Sequence, residues 1–120
     1  LTPNETEASL LMGINVDDEA TASLDARFLL NKGVQNVVIT LGSKGAYFQN
    51  DNLSLMIEAP LVQAMDTTAA GDTFCGALAV AITENMDWEK AIRFAVKAAS
   101  ISVTRLGAQA SVPYRSEIAF

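Results

Sequence analysis

The most informative segment of this chain is Asp66-Thr67-Thr68-Ala69-Ala70-Gly71-Asp72-Thr73-Phe74-Cys75-Gly76, a polar loop of small residues followed directly by an alanine-rich apolar helix. Ala69, Ala70 and Gly71 have no side chain larger than a methyl group, so a ligand can approach the free N–H groups of the first helical turn. This pattern predicts a binding site for an anion such as phosphate. Asp72 is unexpected there, because a carboxylate would compete with a phosphate unless it takes a proton from the attacking group.

Asp72 also has a simpler interpretation, as a first-turn carboxylate that the helix dipole stabilises by about 0.3–1 kcal/mol. The whole run favours the catalytic interpretation, because Asp-x-x-Ala-Ala-Gly-Asp-Thr-Phe-x-Gly-Ala resembles the C-terminal signature of the ribokinase family of carbohydrate kinases. Residues 1–7, 40–45 and 103–109 resemble the same family in the same order. The resemblance covers essentially the whole chain and corresponds to the C-terminal part of such an enzyme.

Composition argues against several classes of protein. The length of 120 residues is typical of a single domain, and half of the residues are apolar, which is enough for a hydrophobic core. With 8 basic and 14 acidic residues the net charge is −6, and no basic cluster is present, so we expect no nucleic-acid partner. A single cysteine and the absence of a long apolar run predict a cytoplasmic protein without a membrane partner. Because the chain begins at Leu1 rather than at a methionine, we expect it to be a piece of something longer.

Capping residues, glycine stops and apolar periodicity predict four helices. These are residues 3–12, a segment from Asp17 or Asp18 to Lys32, residues 71–84, and a segment from Trp88 to about Arg105. Thr2 is the expected N-cap of the first helix and Asp87 that of the last. The third helix is apolar nearly all round, so we expect it to be buried, with Cys75 as a small core residue or pocket wall.

The strand signals lie between the second and third helices. Residues 37–41 are a continuous apolar run, typical of a strand covered on both faces in a parallel sheet. Residues 46–49 and 53–57 flank the turn-forming residues 50–52 and therefore predict a β-hairpin. Pro60 follows the second strand and indicates that this strand lies at the edge of the sheet. Residues 62–65 are a further candidate strand. With the resemblance, this predicts an α/β fold: the C-terminal portion of a doubly wound, mostly parallel ribokinase-like sheet, with helices on both faces and a β-hairpin edge.

Asn4 and Glu7 are the first pair of residues to which the resemblance gives a role. They lie three apart on the predicted first helix and therefore share a face. In the family an Asn-x-x-Glu motif lies near the magnesium ion and the nucleotide phosphates, with the glutamate acting largely through ordered water. The alternative is that both are solvated first-turn polar residues.

The turn at residues 42–45 is a second candidate for nucleotide binding. It follows the predicted strand at its carboxyl end, where ligands bind in doubly wound sheets. The resemblance implies nucleotide contacts for Thr40, Gly42, Ser43, Lys44 and Gly45, with Lys44 as a point charge for a phosphate. The Gly-x-x-Gly pattern by itself also fits an ordinary turn, and it is not a Walker loop.

The resemblance further implies a potassium ion beside the anion hole, held by one carboxylate and a ring of backbone carbonyls. The matching positions are Asp66, Thr68, Ser102, Arg105, Gly107 and Ser111. Asp66 and Ser111 are the two that would offer side-chain oxygens. The alternative for Asp66 is that it caps a turn.

The resemblance implies ATP-dependent phosphorylation of a sugar hydroxymethyl group, with D-ribose as the preferred substrate, Asp72 as the base and Ala69, Ala70 and Gly71 as the anion hole. Three alternatives stay open: a kinase for another sugar or a nucleoside, a nucleotide-binding module without catalysis, and a structural α/β partner domain. Val96 stands where family members often carry a polar residue beside the adenine.

In the family the sugar-contacting residues and the lid lie mostly in the N-terminal half. Residues 1–120 would then be the nucleotide-binding part, which we expect to be inactive or feeble alone. We expect the full-length enzyme to be a homodimer formed through the lid.

Overall fold

The computed structural model describes residues 2–13, 15–60 and 70–104. The described elements are α1 (Glu5–Met12), α2 (Glu19–Asn31), β1 (Val37–Thr40), a 3-10 helix (Gly42–Lys44), β2 (Ala46–Gln49), β3 (Ser54–Ile57), α3 (Ala70–Thr83) and α4 (Trp88–Val103). The chain divides into two compact units, which we call the N-terminal unit (residues 1–58) and the C-terminal unit (residues 59–120).

The N-terminal unit is built on a three-stranded antiparallel sheet in the order β1-β2-β3. The predicted hairpin is confirmed: the Asn50 side-chain oxygen accepts hydrogen bonds from the backbone N–H groups of Asn52 and Leu53 at 2.9 and 2.8 Å. Within the described residues, the parallel pairing predicted for β1 is represented by one bridge, between Asn4 and Thr40. The candidate strand at residues 62–65 lies outside the described residues.

The sheet is buried on both faces at β1, as its continuous apolar sequence predicts. Val37, Val38 and Ile39 are each at most 2% exposed, although their side chains alternate between faces. Helix α2 covers one face with small residues, and Ala22 and Ala26 belong to the same core cluster as Ile39. Alanine at these positions lets the helix backbone approach the sheet closely.

Helix α1 begins two residues later than predicted, because Asn4 rather than Thr2 is its N-cap. The reason lies in the tertiary structure: the backbone N–H of Thr40 donates to the Pro3 carbonyl at 3.1 Å, so Pro3 pairs with β1 instead of joining the helix. The helix ends as predicted at Gly13, whose φ of 76° is in the left-handed region. At α2 the N-cap is Asp18, one of the two predicted candidates.

The C-terminal unit consists, in its described part, of α3 packed against α4. Asp87 caps α4 as predicted, with its carboxylate accepting the Lys90 N–H at 2.9 Å. The prediction that α3 is buried all round is wrong for this unit: Phe74, Leu78 and Ala81 are buried, but Val80 and Ile82 are 41% and 47% exposed. Cys75 is exposed too, so the first of its two predicted roles, a core residue, is wrong, and the second, a pocket wall, stays a prediction. A helix with a single described packing partner in its unit buries one side only, whatever its composition.

The helices in the described part of the chain include none whose length and apolarity would allow it to span a bilayer.

Candidate active site

The start of α3 carries the predicted base. Ala70 and Gly71 are the first two residues of the helix and Asp72 is the third. The backbone N–H groups of a first helical turn have no acceptor within their own helix and carry its positive dipole end, so they are suited to an anion. A Cβ atom added to Gly71 would meet no atom of the described residues within 4 Å.

Asp72 itself is exposed, and it takes part in no ion pair within residues 2–13, 15–60 and 70–104, where the ion pair found joins Arg93 to Glu89 at 3.3 Å. An Asp72 carboxylate locked in an internal ion pair would have argued against a role as a base. Among the described residues, no ion pair competes with a ligand for this carboxylate. Ala69 and the predicted potassium ligands Asp66, Thr68, Arg105, Gly107 and Ser111 lie outside the described residues.

In the N-terminal unit, pairing between Pro3 and Thr40 brings the start of α1 to the carboxyl end of β1. This places Asn4 beside Thr40, directly before the turn that contains the other candidate nucleotide residues. The structure therefore brings Asn4 and Thr40 together, which their separation of 36 positions in the sequence does not reveal by itself.

Asn4 and Glu7 form a capping box. The Asn4 side-chain oxygen accepts the Glu7 N–H at 2.8 Å, and Oε1 of Glu7 accepts the Asn4 N–H at 3.0 Å. Both residues are exposed. The pair therefore has a structural role in starting α1, and it remains accessible to a ligand as well.

The turn after β1 closes on itself. The Leu41 N–H donates to the Gly45 carbonyl at 2.8 Å, and the Gly45 N–H donates to the Gly42 carbonyl at 3.2 Å. Both glycines have positive φ, 59° for Gly42 and 113° for Gly45, which explains the glycine at each position. Ser43 is exposed on the turn.

Lys44 does not extend freely into solvent. Its ammonium group donates a hydrogen bond to the backbone carbonyl of Asp17, just before α2. The pKa of the Asp18 carboxyl is lowered, chiefly by the Thr21 backbone and side-chain hydrogen bonds and also by the positive charge of Lys44.

Ser102 is the predicted potassium ligand that the structure does describe. It is 1% exposed, and its hydroxyl donates to the Ala99 carbonyl at 2.8 Å. Its carbonyl lies in the last turn of α4, where the backbone N–H of the C-cap residue Thr104 donates to the carbonyls of Ile101 and Ser102.

Two buried polar groups were missed by sequence reasoning. Asp25 is fully buried and neither carboxylate oxygen has a hydrogen-bond partner among the described residues, and burial raises the pKa of this carboxyl. Its spacing from Ala22, Ala26 and Leu29 on the apolar face of α2 was the signal that could have found it. The Thr73 hydroxyl, next to Asp72, is also buried without a partner in the described part of the chain.

Comparison with known proteins decides the family. The model of the pfkB family carbohydrate kinases matches residues 1–115. The chain belongs to this family. Ribokinase of Haemophilus influenzae is 49% identical over 117 residues, which make up 98% of this chain and 38% of that protein. The chain thus spans about two fifths of the length of the curated relatives it matches.

Solved structures of pfkB-type kinases confirm the predicted ribokinase-like α/β fold. Ribokinase from Thermotoga maritima matches with a TM-score of 0.87 and 45% identity, over 98% of this chain and 40% of that one. Arabidopsis thaliana ribokinase, solved with ribose and ATP, matches with a TM-score of 0.91 and 38% identity, over 98% of this chain and 38% of that one.

Two pfkB-type structures of lower identity, both from Escherichia coli, contain metal ions. A putative ribokinase II, solved with ATP and Mg²⁺, is 27% identical with a TM-score of 0.84, over 98% of this chain and 36% of that one. Phosphofructokinase-2, solved with potassium, is 29% identical with a TM-score of 0.82, over 89% of this chain and 35% of that one.

Proposed function

We propose that this chain is the C-terminal, nucleotide-binding part of an ATP-dependent kinase that phosphorylates a sugar hydroxymethyl group, with D-ribose as the preferred substrate and ribose 5-phosphate as the product. The observation that carries the proposal is the exposed Asp72 carboxylate in the first turn of α3, beside the backbone N–H groups of Ala70 and Gly71. The high identity to ribokinases supports the choice of sugar.

In this mechanism Asp72 accepts the proton of the sugar hydroxyl as the hydroxyl oxygen attacks the γ-phosphorus of ATP. The bond between that phosphorus and the β–γ bridging oxygen breaks, and ADP leaves with the bridging oxygen. General-base catalysis of this kind contributes about 10²–10⁴-fold to a rate. The N–H groups of Ala69, Ala70 and Gly71 donate to the oxygens of the transferring phosphoryl group, whose negative charge they stabilise. The two functions need a carboxylate and free amides on one helical turn, which the start of α3 supplies.

The phosphates of ATP would lie against the turn at residues 42–45. Its backbone conformation requires glycine at two positions, and glycine lets a ligand approach the main chain. Thr40 and Asn4 lie together at the edge of this turn and are the proposed neighbouring contacts. Ser43, exposed on the turn, offers a hydroxyl to a phosphate.

Magnesium fits a site with few protein ligands. The described residues hold no group of three or more His, Cys, Asp or Glu side chains that could bind a metal, so a cage made by protein alone is not available there. Mg²⁺ commonly keeps several waters and binds through one or two carboxylates and substrate phosphates, and the exposed Glu7 suits that arrangement. When bound, Mg²⁺ neutralises charge on the phosphates.

Potassium fits the donor set at the end of α4. The Ser102 carbonyl lies in the last turn of α4, where the helix dipole is negative, and a carbonyl oxygen that accepts one N–H has a second lone pair for a cation. The proposed companions are the Asp66 carboxylate and the oxygens of Thr68, Arg105, Gly107 and Ser111. This donor set consists of oxygens, as a hard cation requires.

The proposal assigns sugar recognition and the lid to the part of the kinase outside these 120 residues. On that basis the chain alone would have little or no activity, and the full-length enzyme would be a homodimer through the lid. The coverage of about two fifths of the matched relatives supports this division.

Substitution of the base tests the proposal. In the intact kinase, Asp72→Asn removes the proton acceptor and keeps the shape, so kcat should fall by about 10²-fold or more while ATP affinity, measured by calorimetry, changes little. Asp87→Asn is the matched control, because asparagine caps a helix as well as aspartate does. Near-normal turnover of Asp72→Asn would remove Asp72 from the mechanism.

The substrate is tested with the intact kinase and Mg-ATP. D-ribose should give the highest kcat/KM among D-ribose, D-fructose, other pentoses and nucleosides, with the phosphate on the hydroxymethyl oxygen by phosphorus NMR. A higher value for another alcohol would replace ribose but keep the chemistry. ATP binding without transfer to any of them would make the protein a nucleotide-binding module.

A further inference from the structure

Lys44 links two parts of the N-terminal unit that are far apart in sequence. It is the last residue of the 3-10 helix Gly42–Lys44, and its ammonium group donates to the Asp17 carbonyl in the loop before α2, 27 positions away. The turn that carries Lys44 is otherwise closed by its own backbone hydrogen bonds, among them Lys44 N–H to the Leu41 carbonyl at 3.1 Å. The side chain of Lys44 thus joins this turn to the start of α2.

The acceptor at Asp17 is itself held in place. The Thr21 hydroxyl accepts the N–H groups of both Asp17 and Asp18, at 3.1 and 3.2 Å, and the Asp18 carboxylate accepts the Thr21 N–H at 2.8 Å. These bonds fix the backbone that presents the Asp17 carbonyl to Lys44. A side chain anchored at such a point can hold the turn in one position.

The Lys44 ammonium group also lies near the Asp18 carboxylate. The pKa of that carboxyl is lowered chiefly by the Thr21 backbone and side-chain hydrogen bonds, and the positive charge of Lys44 adds a smaller contribution. An ammonium group that is hydrogen-bonded to a carbonyl and close to a carboxylate binds a phosphate more weakly than a free ammonium group does.

We propose that Lys44 is a positioning residue of the nucleotide site: it holds the turn at residues 42–45 against the start of α2 through the Asp17 carbonyl, and it does not contact the phosphates of ATP. The inference rests on the proposed function, in which this turn binds those phosphates. It differs from the role of a phosphate ligand that the sequence suggests for this lysine.

The first test needs no nucleotide. Lys44→Met keeps the aliphatic stem and removes the donor, so hydrogen exchange at the Leu41, Lys44 and Gly45 amides of the nucleotide-free protein should quicken by about two- to tenfold, as expected for the loss of one hydrogen bond. Lys97→Met, at an exposed position of α4, makes the same charge change and should leave these amides unaffected. Unchanged exchange in Lys44→Met would overturn the proposal.

The second test alters the residue that holds the acceptor of the Lys44 hydrogen bond in place. Thr21→Val removes the hydroxyl that anchors Asp17, so in the intact kinase it should raise the KM for ATP in the same direction as Lys44→Met, and the double variant should show less than the product of the two effects. Thr21→Ser keeps the hydroxyl and should behave as the parent. The proposal would be overturned if the KM for ATP of the double variant rose by the product of the two single effects, or if Thr21→Val kept the KM of the parent.

The salt dependence of ATP binding separates positioning from direct contact. If Lys44 does not touch phosphate, Lys44→Met should bind ATP with the same dependence on ionic strength as the parent, whereas loss of a direct charge contact would flatten it. Should the intact protein transfer no phosphate to any sugar, the proposed function fails, and the exchange experiment still decides the role of Lys44.

Discussion

Asn4 and Glu7 are bonded to each other in both directions, each side chain accepting the backbone N–H of the other, at 2.8 and 3.0 Å. One oxygen of Glu7, Oε1, is used in this capping box. The same two residues are those proposed for the magnesium and phosphate site. Their structural and functional roles therefore overlap, and the chain offers a substitution that separates them.

Glu7→Gln should keep the capping box and lose the charge. Glutamine closes a capping box as glutamate does, so the free energy of unfolding should change by less than about 0.5 kcal/mol. In the intact kinase the Mg²⁺ concentration needed for half-maximal rate should rise, because a neutral amide orders the waters around Mg²⁺ less well than a carboxylate. Urea unfolding and a Mg²⁺ titration of the rate measure the two effects.

Asn4→Ala provides the contrast, since it removes the N-cap acceptor and should cost about 1 kcal/mol of stability. If Glu7→Gln destabilised the protein as much as Asn4→Ala does, the capping box would depend on the charge of Glu7. If the Mg²⁺ requirement of Glu7→Gln were unchanged, Glu7 would have only the structural role.

Asp25 should make the stability of the N-terminal unit fall as pH rises. Burial raises the pKa of this carboxyl in the folded state, so the folded chain keeps a proton that the unfolded chain has already released. The stability that Asp25 contributes is complete below its unfolded pKa of about 3.9 and is lost as the pH rises through the folded pKa. One proton limits the slope to about 1.4 kcal/mol per pH unit.

Asp25→Asn cannot ionise and should remove this dependence. The difference in free energy of unfolding between Asp25→Asn and the parent should grow in favour of the variant as the pH increases from 4 to 8. The measurement is urea unfolding followed by circular dichroism at each pH, with the exposed Asp51→Asn as the control. Parallel pH profiles for parent and variant would mean that Asp25 finds a charged or hydrogen-bonding partner when folded.

Gly45 should be less replaceable than Gly42 in the same turn. Gly45 has φ 113° and ψ −137°, a conformation that costs other residues about 1–3 kcal/mol, and it is also buried. Gly42 has φ 59° and is exposed, and alanine there should cost about 1–2 kcal/mol. Urea unfolding of Gly45→Ala and Gly42→Ala measures the order, and equal losses would show that the turn relaxes around residue 45.

Much of the local structure could be predicted from the sequence. The hairpin at residues 46–57, the stop of α1 at Gly13 and the Asp87 cap of α4 all depend on contacts between residues close in the chain, which a pattern records. The burial of β1 was predictable because a continuous apolar run leaves no face for solvent.

The predictions that were wrong share a different cause, namely contacts between elements that are far apart in the sequence. Thr2 has the spacing of a cap, but pairing of Pro3 with Thr40 moved the start of α1 to Glu5. Composition predicted burial for every side of α3, whereas burial depends on which elements lie against a helix. Asp25 looked like an ordinary helical residue, and its cost of burial exists only because α2 lies on the sheet.

Motifs and short-range patterns were enough to predict the family, the order of helices and strands, and Asp72 as the candidate base. Three features emerge only from the folded chain: Asn4 meets Thr40, Lys44 bonds to the Asp17 carbonyl, and Asp25 is buried with no partner among the described residues. All three features arise because helices and strands that are separate in the sequence pack against each other. The physical reason is that burial and long-range hydrogen bonds depend on the distance between atoms in space, which separation along the chain does not fix.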